Sequence, residues 1–291
     1  MEINQALEWI KYSLISLNCG LFLFLIVAYL LAYNTTTSLT PISTTKTSPR
    51  ALIVIAHPDD ESMFFAPLLR YLLFGDNQWT WSVSKYLHTR WNVTLLCLSS
   101  GNADGMGRIR IKELESVGRF LGLPSENLVI INDPQLEDGM HVSWDPQHIA
   151  NIIQRQFDGG NTFQAIFTFD EFGVSAHPNH IAVYRGVRLA LEKFDSAKVF
   201  GFALKSTNLA RKYIGVLDVA ILRIQQILST KKSGLSDELA MFTWRPWWNY
   251  QLMAIHASQF VWYRRLFVIF SRYTYLNTFE EIRWRSKLNK K

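Results

Sequence analysis

The chain has 291 residues, is 48% hydrophobic and carries a formal net charge of +6, long enough for one large domain or two small ones with a sizeable core. Its basic surplus gathers near the C-terminus among aromatic residues, with no zinc-finger, helix-turn-helix or RNA-recognition pattern; this excludes nucleic acid as the expected partner and favours an anionic lipid surface. The two cysteines, Cys19 and Cys97, exclude a disulfide framework.

Residues 13–32 form an uncharged, mostly apolar stretch between Tyr12 and Tyr33. About 20 apolar residues span a bilayer as a helix, and tyrosines mark such boundaries. A signal peptide has a shorter apolar core of about 7–15 residues after positive charge, whereas Glu2 and Glu8 precede this one. The expectation is one uncleaved transmembrane helix within residues 1–33. Lys46 and Arg50 follow it, which places the main domain on the cytosolic side. Residues 34–49 read as a Thr/Ser/Pro-rich linker. The triplets Asn34-Thr35-Thr36 and Asn92-Val93-Thr94 match glycosylation sequons but receive little weight, since Asn92 opens an apolar strand.

From residue 50 onward, strand-like runs at 51–56, 93–98, 128–131 and 165–169 alternate with helix-like segments near 62–74, 108–121, 147–157 and 179–193. This rhythm predicts an α/β domain over 50–240, a Rossmann-like three-layer sandwich with a mostly parallel sheet. Residues 75–91 form a Trp-containing insertion, and 241–291 an aromatic, basic segment expected to pack on the domain or face a membrane.

Two strand-to-loop junctions carry the chemistry. Ala56-His57-Pro58-Asp59-Asp60-Glu61 follows the first apolar run, and His177-Pro178-Asn179-His180 follows the fourth run and Asp170. Ligands bind beyond the carboxyl ends of parallel strands. His57, Asp60 and His180 would make an open three-ligand site suited to zinc, although a His₂-carboxylate set also matches non-haem iron. Asp59 would then be free to act as general base on water, and His177, as imidazolium, to stabilise an oxyanion or protonate a leaving amine. A helix-capping Asp is the plain alternative for either motif alone; two such motifs reverse it. Gly101-Asn102-Ala103-Asp104-Gly105-Met106-Gly107 leads into a helix on which Arg110 and Glu113 are spaced for an ion pair. Asn102, Arg110 and Asp170 are candidates for substrate binding.

These paired motifs, with Arg110-Ile111-Lys112-Glu113-Leu114 and the later His256-x-Ser258-Gln259, Trp262-Tyr263-Arg264-Arg265-Leu266 and Ser271-Arg272-Tyr273, resemble the LmbE-like zinc de-N-acetylases, in their eukaryotic glycosylphosphatidylinositol (GPI) branch. The resemblance covers roughly residues 51–205. It implies zinc, or another divalent cation, on His57, Asp60 and His180, with Asp59 as base and His177 as oxyanion-stabilising or acid histidine. It implies removal of acetate from the glycolipid N-acetylglucosaminyl-phosphatidylinositol (GlcNAc-PI), the second step of GPI-anchor synthesis, at the cytosolic face of the endoplasmic reticulum membrane by a single-pass protein. No obligate protein partner is inferred. A de-N-acetylase of a soluble GlcNAc conjugate and a non-catalytic glycolipid-binding subunit are the alternatives. The insertion at 75–91 departs from the family pattern.

Overall fold

The computed structural model describes residues 2–33, 48–75, 90–158, 162–194, 198–229 and 239–283. An N-terminal helix, α1 (Glu2–Tyr33), precedes the domain. Then follow β1 (Arg50–Ile55), α2 (Asp60–Phe64), α3 (Ala66–Phe74), β2 (Asn92–Cys97), α4 (Gly107–Leu121), β3 (Leu128–Ile130), α5 (Pro146–Asp158), β4 (Ala165–Phe169), α6 (Gly173–Ala176), α7 (Pro178–Leu191) and β5 (Phe200–Leu204). The later elements are α8 (Leu209–Lys212), α9 (Leu217–Ser229), β6 (Leu239–Phe242), α10 (Pro246–Ile255), α11 (Trp262–Phe270) and β7 (Leu276–Glu281).

Because β1 is buried on both faces, it reads as a continuous apolar run, with Ala51 to Ile55 all at 0% exposure. The sheet order is β3-β2-β1-β4-β5-β7-β6. The first five strands are parallel, while β7 pairs antiparallel with both β5 and β6. From β1 the chain steps outward to β2 and β3, then returns to β4 and β5. Right-handed crossovers therefore put α3 and α4 on one face and α5 and α7 on the other. The order reverses between β1 and β4, which are neighbours. A crevice at such a switch point is where open α/β sheets bind ligands, and the two His-rich loops leave these two strands.

The single helix expected near 62–74 is two. Pro67 has no N–H to bond the carbonyl of Met63, and Phe65 caps the break between α2 and α3. On the other face, α7 meets α5 at Gly186, where a Cβ would lie 2.4 Å from Ile149 Cγ2. Residues 239–283 supply two strands of the sheet, β6 and β7, and two helices beside it. Most of the expected insertion (76–89), part of the linker (34–47) and residues 284–291 lie outside the described residues. The helix α1 coincides with the expected anchor, but the side chains of 23–33 are likewise outside them. Among the described residues no helix is long and apolar enough to cross a membrane.

Candidate active site

The loop after β1 places His57, Asp59 and Asp60 in the crevice, all buried. Asp60 is fixed first: its Oδ2 accepts from the backbone N–H groups of Ala56 (3.0 Å) and His57 (2.8 Å). That leaves Oδ1 turned toward His180 Nε2 at 3.2 Å. Burial opposes the charge of Asp60, but His180, His57 and the backbone donors outweigh it and hold its pKa below the usual carboxylate range.

His180 enters on the first turn of α7. Its Nδ1 lies 3.2 Å from the Gly173 carbonyl, so Nδ1 carries a proton and Nε2 is the nitrogen turned to Asp60. Among the described residues, the buried Nε2 has Asp60 Oδ1 as a neighbour but makes no hydrogen bond of ordinary geometry. Such a carbonyl-oriented histidine with an orphaned nitrogen is the ordinary arrangement of a metal ligand. On the other side of Asp60, His57 Nδ1 lies 3.8 Å from Oδ2, while His57 Nε2 lies 3.0 Å from Asp138 Oδ1. One ligand atom from each of His57, Asp60 and His180 falls within 4.8 Å of the others. These residues fit one divalent cation. His57, Asp138 and His177 form a second such group, but it shares His57, and there Asp138 accepts a hydrogen bond from His57 Nε2.

Asp59 sits in the left-handed region at φ 114°, a conformation costly for a residue with a side chain and typical of functional sites. Its backbone N–H donates to Glu61 Oε2 at 3.1 Å. Asp59 Oδ2 is held by Arg264 and, at 3.4 Å, by Arg110. Oδ1 has no partner among the described residues. Burial raises the Asp59 pKa despite both guanidinium groups, which suits a base.

Behind it, Glu61 is fully buried and accepts from His256 Nε2 and Ser62 Oγ, each at 2.6 Å. Burial disfavours its charge, yet these donors lower its pKa. For His256, burial works the other way and Glu61 prevails, raising its pKa.

His177 is half-buried and caps α7, its Nδ1 accepting from the Asn179 N–H at 3.3 Å. The ring proton is therefore on Nε2. Burial first, then the neighbouring His180 and His57, lower its pKa to about 4. The imidazolium expected from the sequence is thus not the form present at neutral pH; a neutral N–H donor is.

The remaining candidates tie loops together. Arg110, buried, donates to the carbonyls of Gly101 (2.8 Å) and Pro58 (2.7 Å) and reaches Asp138 at 3.4 Å. It does not pair with Glu113, which instead accepts from the N–H and Oγ of Ser258. Gly101 has φ +67°, and a Cβ there would lie 2.5 Å from Arg110 Cζ. Asn102 is exposed and accepts from the Gly107 N–H at 2.8 Å, starting α4. Asp170 has both oxygens taken, by Ser206 N (2.6 Å), Ser206 Oγ (2.6 Å) and Phe172 N (3.1 Å). It buckles the loop that presents the two histidines, in which Val174 and Ala176 hold positive φ. Asp138, Arg264 and His256 complete the site, although sequence reasoning gave them no role in it. Asp138 follows β3 on the strand-end side, a position that the switch-point rule could have flagged.

The GlcNAc-PI de-N-acetylase family model, PIG-L, matches residues 52–191, the span that contains both histidine loops. A probable N-acetylglucosaminyl-phosphatidylinositol de-N-acetylase of Schizosaccharomyces pombe is 37% identical over 229 residues, covering 76% of this chain and 82% of that one. The enzyme of that name from Bos taurus is 36% identical over 231 residues, with 79% and 82% covered. Its Saccharomyces cerevisiae counterpart is 30% identical over 254 residues, with 78% and 80% covered. With a family model over both site loops and relatives at 30–37% identity over most of the chain, the chain belongs to the GlcNAc-PI de-N-acetylase family.

Proposed function

We propose that this protein hydrolyses the N-acetyl group of GlcNAc-PI to glucosaminyl-phosphatidylinositol and acetate, the second step of GPI-anchor synthesis. The observation that carries this is the orphaned Nε2 of His180 facing Asp60 beside His57, with Asp59 turned aside by its left-handed backbone. His57, Asp60 and His180 would hold the cation, zinc by the chemistry of a borderline N/O donor set. When bound, the ion supplies a Lewis acid for the acetyl carbonyl and makes water more acidic.

The chain's own residues do the rest. Asp59 Oδ1 takes a proton from the attacking water as the new C–O bond forms at the acetyl carbon. Arg110 and Arg264 hold that carboxylate by its other oxygen. The electron pair of the C=O bond moves onto oxygen, where the His177 Nε2–H donates. Collapse breaks the C–N bond, and the proton on Asp59 passes to the departing nitrogen. Acetate and a free amine result.

The apolar stretch at 13–32, on a helix of 32 residues, supports a single-pass anchor. The positive charges after it support a cytosol-facing domain, and the endoplasmic reticulum is the membrane that the family resemblance implies. Purified protein incubated with GlcNAc-PI in vesicles should release acetate; chelator should abolish the release and zinc restore it. Faster release from a water-soluble GlcNAc conjugate would favour the soluble-substrate alternative. No release from either, with the site loaded, would favour a non-catalytic binding subunit.

A further inference from the structure

We propose that α11 lies in the surface of a lipid bilayer, apolar stripe outward, so that the catalytic crevice opens beside its lipid-borne substrate; the docking stands by itself, and its purpose rests on the glycolipid reading above. At 100° per residue, Trp262, Tyr263, Leu266, Ile269 and Phe270 fall within an arc of about 120°. Their exposures are 73%, 55%, 45%, 48% and 53%. The opposite side carries the buried Phe267 and Val268 together with Arg264, which reaches Asp59. A helix on a water-facing surface turns its polar side outward. This one is inverted, and a contiguous exposed apolar patch marks an interaction surface.

Three features select lipid as the occupant. Trp262 and Tyr263 are residue types that settle at headgroup depth. Arg265, exposed on the flank of the stripe, suits lipid phosphate. The third is position. Tyr213, 44% exposed, has its ring 6.1 Å from that of Phe267, and Gly215 lies against the carbonyl of Phe270. Two residues later α9 begins, and α9 packs on α1. The helix that bears the stripe is therefore linked through the segment leading into α9 to the apolar N-terminal helix. Since Arg264 spans from α11 to Asp59, that carboxylate lies about one helix diameter, roughly 10–12 Å, from the stripe.

The test uses the full chain in phosphatidylcholine vesicles containing phosphatidylserine. In a Cys19→Ser background, an environment-sensitive fluorophore is placed by Leu266→Cys, or at Glu126→Cys beside the N-terminal end of β3 as control. The label at 266 should shift to the blue and be quenched by brominated lipid, and the label at 126 should do neither. A 266 label that is water-exposed, or shielded but unquenched because a protein or second copy covers it, overturns the proposal. The paired substitution Leu266→Asp/Ile269→Asp should cut acetate release from vesicle-borne GlcNAc-PI about tenfold or more while leaving turnover of its water-soluble headgroup within about twofold. Unchanged turnover on vesicles also overturns it. If the pair fails to fold, the quenching result decides alone. Quenching at 266 without acetate release from any substrate upholds docking and refutes the glycolipid reading.

Discussion

Replacing His256 by Ala should be far more damaging than its distance in sequence from the histidine motifs suggests. Glu61 is fully buried, and His256, itself at 0% exposure, is its only cationic partner among the described residues, at 2.6 Å. The substitution leaves an uncompensated carboxylate held, among the described residues, by Ser62 Oγ and the Asp59 N–H. Breaking a buried pair by removing one member costs about 3–5 kcal/mol. At about 2–4 °C per kcal/mol for a domain of this size, Tm falls by roughly 6–20 °C. Turnover should fall as well, because Glu61 Oε2 holds the backbone of Asp59 at φ 114°. The assay is thermal unfolding of the metal-loaded protein with kcat and KM measured well below Tm, and the kcat loss should dominate. A Tm within about 2 °C of wild type and normal kcat would refute the assigned role of the pair.

The same pair predicts a pH dependence. His256 has a folded pKa above its unfolded value, so its contribution is full below about pH 6.5 and is lost as pH rises through the folded pKa; His256→Gln should flatten that alkaline decline in stability measured by denaturant titration. Arg264→Leu removes the largest of the cationic influences lowering the Asp59 pKa, so the acid limb of the pH profile of kcat/KM should move to higher pH; an unmoved limb contradicts Asp59 as the base. Gly101→Ala adds a Cβ 2.5 Å from Arg110 Cζ at φ +67°. It should destabilise by about 1–3 kcal/mol and slow turnover; a raised Tm would contradict Arg110 as the tie between the loops.

Much of this site was legible because its signals are local. The apolar runs of β1 and β4 are continuous in sequence, and each ends on the histidine loop it presents, so His57, Asp60 and His180 could be placed together from topology alone. The bonds made by the C-terminal segment were not legible. Arg264 reaches Asp59 across 205 residues and His256 reaches Glu61 across 195, and no periodicity encodes such separations. Glu61 had no role of its own in the sequence pattern, yet it is core, because a histidine from α10's C-terminal end neutralises it. Arg110 and Glu113 carried a misleading local signal. An exposed i,i+3 pair is worth only a few tenths of a kcal/mol, while buried bonds to Pro58, Gly101 and Ser258 are worth more. Strand β7 was missed for a similar reason: Leu276–Glu281 is mostly polar, and Asn277 is buried only because its amide bonds Phe64 and Leu68 of the neighbouring helices.

The central claim is that three side chains hold a cation while their neighbour moves the proton. It is tested most directly by measuring bound zinc and acetate release together in Asp59→Asn and in His180→Ala. Asp59→Asn should keep about one ion per chain and release no acetate, whereas His180→Ala should lose the ion. Undiminished acetate release by Asp59→Asn, or wild-type zinc affinity in His180→Ala, would contradict it.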